Sequence, residues 1–300
     1  MVMGLRSTKS RKKSSAGRSQ AESTNLTRGW IRFILLWSTF LVLLFVGANV
    51  FWDRFGNAIV QASRFQLSPD SLDLGEFPPW IHHDIRPELL LIAFPDKGGN
   101  ILQRDVLAKI ASAAEEHPWV RKVSDLRKFY PNRIHAAIEW RQPVAMVRIA
   151  EGLLPVDANG VLLPSRDFTP VEAAQYPRIV GAYPLPSGPA GHNWGDVRIS
   201  QAASLAELLF SDWKKYGFRQ IELGPEGTND EFVIVTHSGS RILWGHPPAV
   251  AVAREASPEE KMQRLHAYYR EHGSFDGIDG PQEIDLRPRE GLRVRPLPQP

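Results

Sequence analysis

Cysteine does not occur in this chain. Its absence removes disulfide stapling, thiol nucleophiles and cysteine metal sites, so any exported region must fold on apolar packing alone. Other absences narrow the reading further. There is no GxSxG nucleophile elbow, no GxGxxG loop and no Walker phosphate loop. The acidic pairs Asp230-Glu231 and Glu259-Glu260 are adjacent, unlike catalytic carboxylates opposed across a cleft. The second pair suits the N-terminus of a helix, where negative charge favours the dipole. His82-His83-Asp84 has no HExxH or second histidine pair to complete a metal site. His192-Asn193-Trp194-Gly195-Asp196 has loop composition. No catalytic, cofactor-binding or metal-binding residue is assigned.

Acids are also scarce ahead of Phe33, where Arg6, Lys9, Arg11, Lys12, Lys13, Arg18, Arg28 and Arg32 face Glu22 alone. Removing that tail from the totals of 36 basic and 33 acidic residues leaves 28 against 32, a net charge of −4. The larger part of the chain therefore gives no electrostatic support for a nucleic-acid partner. Residues 1–32 read as a disordered basic tail suited to anionic lipid headgroups.

What is present in abundance is apolar length. Phe33–Trp52 is a run of twenty uncharged residues, enough at 1.5 Å per residue to cross a hydrocarbon core of about 30 Å. Trp30, Trp37, Phe51 and Trp52 include rings near both ends, as interfacial anchoring requires. The positive-inside bias keeps residues 1–32 in the cytoplasm and sends the rest across the membrane. A cleaved signal peptide is the rival reading; Ala58 and Ala62 are small, but no small-x-small site directly follows the apolar core.

Residues 53–64 read as a juxtamembrane helix or stalk, and the nearly 250 residues beyond the span suffice for two modest domains. Phe65–Leu74 gives an imperfect strand, and His82–Ile92 a short helix with Pro87 near its start. Pro95–Gly99 is a turn cluster. Asn100 and Gln103 predict a capped helix carrying Leu102, Val106, Leu107, Ile110, Ala111 and Ala114, ending before His117-Pro118. Strands are expected at Val120–Phe129 and Arg133–Glu139, the second alternating through Ile134, Ala136 and Ile138. A strand at Val144–Ile149 leads to an Asn159-Gly160 hairpin turn between Val156 and Leu162. Tyr176–Pro189 is proline-rich and reads as a surface loop. A helix over Ile199–Ser211 follows, then strands at Phe218–Leu223, Glu231–Thr236 and Arg241–Trp244, with turns at Gly224–Gly227 and Ser238-Gly239. Ser257, Pro258 and Glu260 open a further helix lined by Met262, Leu265, Tyr268 and Tyr269. The last strands are Glu283–Leu286 and Leu292–Val294.

Three groups of residues carry a family resemblance. They are Pro118-Trp119-Val120-Arg121-Lys122-Val123, then Lys128-Phe129-Tyr130-Pro131-Asn132-Arg133-Ile134, and Glu139-Trp140-Arg141-Gln142-Pro143-Val144-Ala145. Val156-Asp157-Ala158-Asn159-Gly160 follows; Lys261-Met262-x-Arg264-Leu265 and Ile284-Asp285-Leu286-Arg287 stand nearer the end. In order and spacing this pattern resembles the FtsQ/DivIB family of bacterial divisome proteins, over essentially the whole chain. Pro118, Trp119, Val120, Pro131, Pro143, Asp157, Gly160, Asp285 and Arg287 are its structural motif positions.

The resemblance implies an α+β fold in which one transmembrane helix (33–52) precedes a POTRA-like module at 65–145. A β-rich domain containing helices follows at 146–296, with a short tail at 297–300. It further implies a non-enzymatic, single-pass protein of the inner membrane and division septum that recruits septal wall-synthesis components. The edge strand after Ile284–Arg287 would accept a strand from an FtsB/DivIC-like partner complexed with an FtsL-like protein, through Gly291, Leu292, Arg293, Val294 and Arg295. A membrane-anchored POTRA-type assembly or secretion component is the alternative; a membrane-anchored enzyme is a weaker one.

Overall fold

The computed structural model describes residues 19–96, 98–181, 185–224, 231–278 and 280–297. It comprises two compact units, Met1–Ser63 and Arg64–Pro300. In the first unit, helix α1 runs over Ser19–Val60 and contains the stretch Arg32–Gly56, long and apolar enough to cross a membrane. The disorder expected for residues 1–32 falls partly outside the described residues, at 1–18. Residues 19–32 are helical instead, because a helix nucleated by the apolar run propagates at one hydrogen bond per added residue. The same helix takes in 53–60 of the expected stalk.

The second unit opens with 3₁₀ turns at Ser63–Phe65 and Pro69–Ser71, and only Leu72–Asp73 forms a strand, β1. Pro69 breaks the alternation that suggested a longer one. Helices α2 (Arg86–Ala93) and α3 (Val106–Glu116) come next. Pro87 occupies the first turn of α2, where a missing N–H costs nothing. Helix α3 begins five residues later than the Asn100 cap predicted, with Asp105 at the cap position. Asn100 instead bridges Gln66 and turns its Oδ1 onto the Leu102 N–H at 2.8 Å, a local turn that competes with helix. Strands β2 (Val120–Phe129) and β3 (Arg133–Trp140) form an antiparallel hairpin with Pro131 at its tip, giving sheet order β1-β3-β2. Ile85, Leu89, Val106, Ile110, Trp119 and Ile134 fill the core beneath it, each large side chain contributing roughly 1.5–3 kcal/mol.

The larger sheet has eight strands. They are β4 (Ala145–Ile149), β5 (Gly152–Val156), β6 (Arg178–Val180), β7 (Phe218–Leu223), β8 (Phe232–Thr236), β9 (Arg241–Gly245), β10 (Gln282–Asp285) and β11 (Arg293–Pro296). Between them lie α4 (Pro170–Ala173), α5 (Val197–Leu209) and α6 (Pro258–His272). The strand order is β11-β10-β9-β8-β7-β6-β4-β5. Helices α5 and α6 are the crossovers of the parallel pairs β6–β7 and β9–β10. Their apolar faces, with Ile199, Leu205 and Leu265, cover Ile179, Ile221, Ile242 and Ile284 of the strands.

Strand β6 lies inside the proline-rich passage expected to be a loop. Its Ile179 is fully buried between two neighbouring strands, and that burial overrides the flanking prolines. The turn expected at Gly224–Gly227 lies outside the described residues from 225 onward. Helix α6 follows its sequence signals closely. Glu260 N–H donates to Ser257 Oγ at 3.2 Å, Ser257 N–H returns a bond to Glu260 Oε2 at 2.8 Å, and Gly273 closes the helix at φ 70°.

The two sheets meet across a polar cluster. Trp119 donates its indole N–H to Asp167 Oδ2 at 2.7 Å, and His83 Nδ1 lies 3.0 Å from Asp167 Oδ1. The Glu88 carboxylate receives Arg166 at 2.9 Å and faces His117 Nε2 at 3.4 Å. Burial pushes the His117 imidazole below its ordinary value, against the pull of Glu88. Burial also opposes ionisation of Glu88, but Arg166 and His117 outweigh it and hold the carboxyl below its usual range.

Candidate functional site

A sheet offers a binding site where an edge is left unpaired, and the four edges here differ in kind. Strand β1 is two residues long. Strand β2 is longer, but it is interrupted by bulges at Val120/Lys122 and Ser124/Arg127, with Asp125 at φ 49°, and lined by Arg121, Lys122, Arg127 and Lys128. Bulges and cations of this sort blunt an edge. Beyond β5, Val156 bridges Leu162 and the Leu163 N–H donates to the Pro155 carbonyl at 2.9 Å, so the Pro155–Val156 end of that side is occupied. Among the described residues, strand β11 pairs with β10 alone, and its residues are exposed.

The register fixes what β11 presents. Leu297 N–H donates to the Pro281 carbonyl at 3.0 Å. Antiparallel bonding alternates, so Arg295–Glu283 and Arg293–Asp285 are the hydrogen-bonded pairs, and Val294–Ile284 is not. The Val294 N–H and C=O therefore point away from β10, toward open solvent. Pro296, with no N–H to offer, falls on the same outward phase. Beside the strand runs a groove of about 710 Å³, lined by Tyr268, Ile278, Gln282, Val294, Pro296 and Leu297. Val294 is 45% exposed there.

Of the five candidate binding residues, Arg293, Val294 and Arg295 lie on this strand. Gly291 and Leu292 do not: Gly291 sits at φ 131° in the preceding turn, and Leu292 is half-buried against the larger core. The strand begins at Arg293, one residue later than expected, because Leu292 is drawn inward. Arg295 is already paired within the chain, with Glu283 at 2.7 Å. The outward phase of Val294 and the groove residues Ile278, Pro296 and Leu297 escaped the sequence reading. The cue was the Pro296 at an alternate position from Val294, the only phase at which a proline leaves the ladder intact.

The motif residues are structural in their contacts. Trp119 and Val120 are buried, as is Pro143 at the approach to β4. Pro118 lies against Gly191, whose added Cβ would come within 3.3 Å of it. Asp157 Oδ1 accepts from the Asn159 and Val161 amides, both at 2.9 Å, and its Oδ2 accepts from Arg141 at 2.7 Å. Gly160 has φ 72° and would place a Cβ 2.8 Å from the Ser200 backbone, so only glycine fits. Asp285 holds Arg287 through Nε at 2.8 Å, and Arg287 reaches Glu231 at 2.8 Å. Burial opposes ionisation of Asp285, but Arg287 outweighs it and lowers the carboxyl; the Asp285 bond in turn raises Arg287. His82 Nδ1 lies 2.9 Å from the Asp167 carbonyl, and Asp196 caps α5. No group of three His, Asp or Glu side chains forms a metal site among the described residues.

One helix long and apolar enough to cross a membrane, followed by a mixed α+β unit with an exposed edge strand among the described residues, fits the class of single-pass membrane proteins. No protein-family model matches the chain. It is similar to the cell division protein FtsQ of Myxococcus fulvus (strain ATCC BAA-855 / HW-1), with 29% identity over 210 residues, 69% of this chain. The alignment covers 66% of that relative, just under two thirds of its length. This likeness supports membership of the FtsQ/DivIB family, and with the apolar helix it supports a single-pass membrane protein.

Proposed function

We propose that this chain is a non-enzymatic, bitopic cell division protein that recruits septal wall-synthesis components. The basic tail lies in the cytoplasm and residues 65–296 lie on the outer side of the inner membrane. Residues 65–145 serve as a POTRA-like module and 146–296 as the β-rich domain that binds the partner. Strand β11 accepts a strand from an FtsB/DivIC-like protein complexed with an FtsL-like one. The observation that carries this reading is the outward-facing N–H and C=O of Val294 on a strand that, among the described residues, pairs with β10 alone. Main-chain bonds to Val294 supply affinity, and the groove beside Val294 and Pro296 selects side chains.

Val294→Pro is the direct test. Because the Val294 N–H is not used by β10, proline removes the outward donor and leaves the existing ladder in place. Pull-down of the FtsB/DivIC-like partner by the full-length protein should fail for the variant, with an unchanged circular dichroism spectrum. Full binding by the folded variant rejects β11 as the docking edge. Depletion followed by septum imaging tests the wider claim: normal division without the protein overturns it.

A further inference from the structure

The edge strand is exposed and short, yet something holds it in register. Helix α6 presents Lys261 and Arg264 three residues apart, hence on neighbouring positions of one face. Lys261 is buried and bonds Glu255, which bridges Pro288 in the turn leading to β11. Arg264 reaches the same turn from the other direction. Its Nη1 donates to the carbonyls of Leu286 and Gly291, both at 3.1 Å, and to that of Pro288; Nη2 donates to the Arg289 carbonyl at 2.6 Å. One guanidinium thus gathers four carbonyls from the seven-residue connection between β10 and β11.

We propose that Arg264 is a positioning residue for partner binding, setting the 286–291 turn so that β11 presents Val294 outward in a fixed register. The proposal rests on the edge-strand reading of function. Four convergent carbonyls repel one another unless a cation with several directed donors sits among them. A planar guanidinium supplies five such donors, where an ammonium supplies three around a point charge. The turn contributes few buried apolar side chains of its own: Leu286 is buried and Leu292 half-buried, while Arg289 and Glu290 are exposed. Without the guanidinium, β11 loses the constraint on its leading end, and a partner strand must order it at its own expense.

The test uses the full-length protein in lipid nanodiscs with two readouts. Arg264→Gln should speed amide hydrogen exchange over residues 286–296 and weaken binding of the purified FtsB/DivIC-like partner by roughly tenfold or more. Exchange in α5 and β7 should be unchanged. Arg264→Lys, which keeps the charge and stem, should recover part of both effects and serves as the decisive variant if the glutamine form does not fold. Wild-type exchange over 286–296 in a folded Arg264 variant overturns the proposal, as does wild-type partner affinity when Val294→Pro abolishes binding. If Val294→Pro also binds normally, the edge reading fails, and the exchange data alone decide whether Arg264 orders the turn.

Discussion

Trp119 and Asp167 are joined by a 2.7 Å hydrogen bond between two buried side chains, one from the residue just before β2 and the other from the 3₁₀ helix after β5. The bond ties the segment following the larger sheet's first hairpin into the small sheet's core, where Leu163 is also buried. Tryptophan suits the position because it brings a large apolar body and one directed N–H.

Trp119→Phe should therefore cost more than its lost area. It keeps a ring in the core and leaves Asp167 Oδ2 without this donor. A loss of about 1–3 kcal/mol is expected, against about 3–5 kcal/mol for Trp119→Ala. Urea unfolding of the full chain measures both; equal midpoints for wild type and Trp119→Phe would remove the bond from the account.

His117 sets a pH dependence. Its native imidazole titrates below the ordinary value because it is buried, and the Trp119 amide donates to its Nδ1 at 3.3 Å. As pH falls below the ordinary histidine value of about 6.5, the unfolded chain takes up this proton before the folded one does. The His117 contribution to stability is present above that value and lost as pH drops toward the native one. Glu88, lowered by Arg166 and His117 despite its burial, adds a loss of the same sign at more acidic pH. His117→Asn should flatten the upper part of the profile. Unfolding free energies between pH 5 and 8 check it; an unaltered slope in the variant would assign the dependence elsewhere.

The charge asymmetry about the span makes a topological prediction. With eight basic residues and one acid before Phe33, a reporter fused after Pro300 should be active only outside the cytoplasm. Activity of a cytoplasm-dependent reporter at that site would invert the assignment. Mass measurement of the mature protein separates anchor from cleaved signal: loss of the first 50–65 residues would favour cleavage.

Much of the second unit was legible because its signals are local. The alternation of Ile134, Ala136 and Ile138 located β3, and Ser257 with Glu260 located α6 to the residue. The failures have tertiary causes. Strand β6 is three residues between prolines and exists because β4 and β7 pair with it. Helix α3 starts late because Asn100 finds a partner in Gln66, thirty-four positions back in the chain. At the candidate site, the strand was visible as an apolar pair after Ile284–Arg287, but its phase was not. Which amides face outward depends on pairing with β10, and that register follows from the turn held by Arg264.

The unequal treatment of the sheet edges has a consequence for counting. Strand addition at two edges propagates, since each added copy offers a new end, and an open filament results. Among the described residues, the bulged β2, the two-residue β1 and the partly covered flank of β5 make β11 the edge most open to such addition. If β11 docks a partner strand as proposed, the expected capacity is one partner per chain, however crowded the surroundings become.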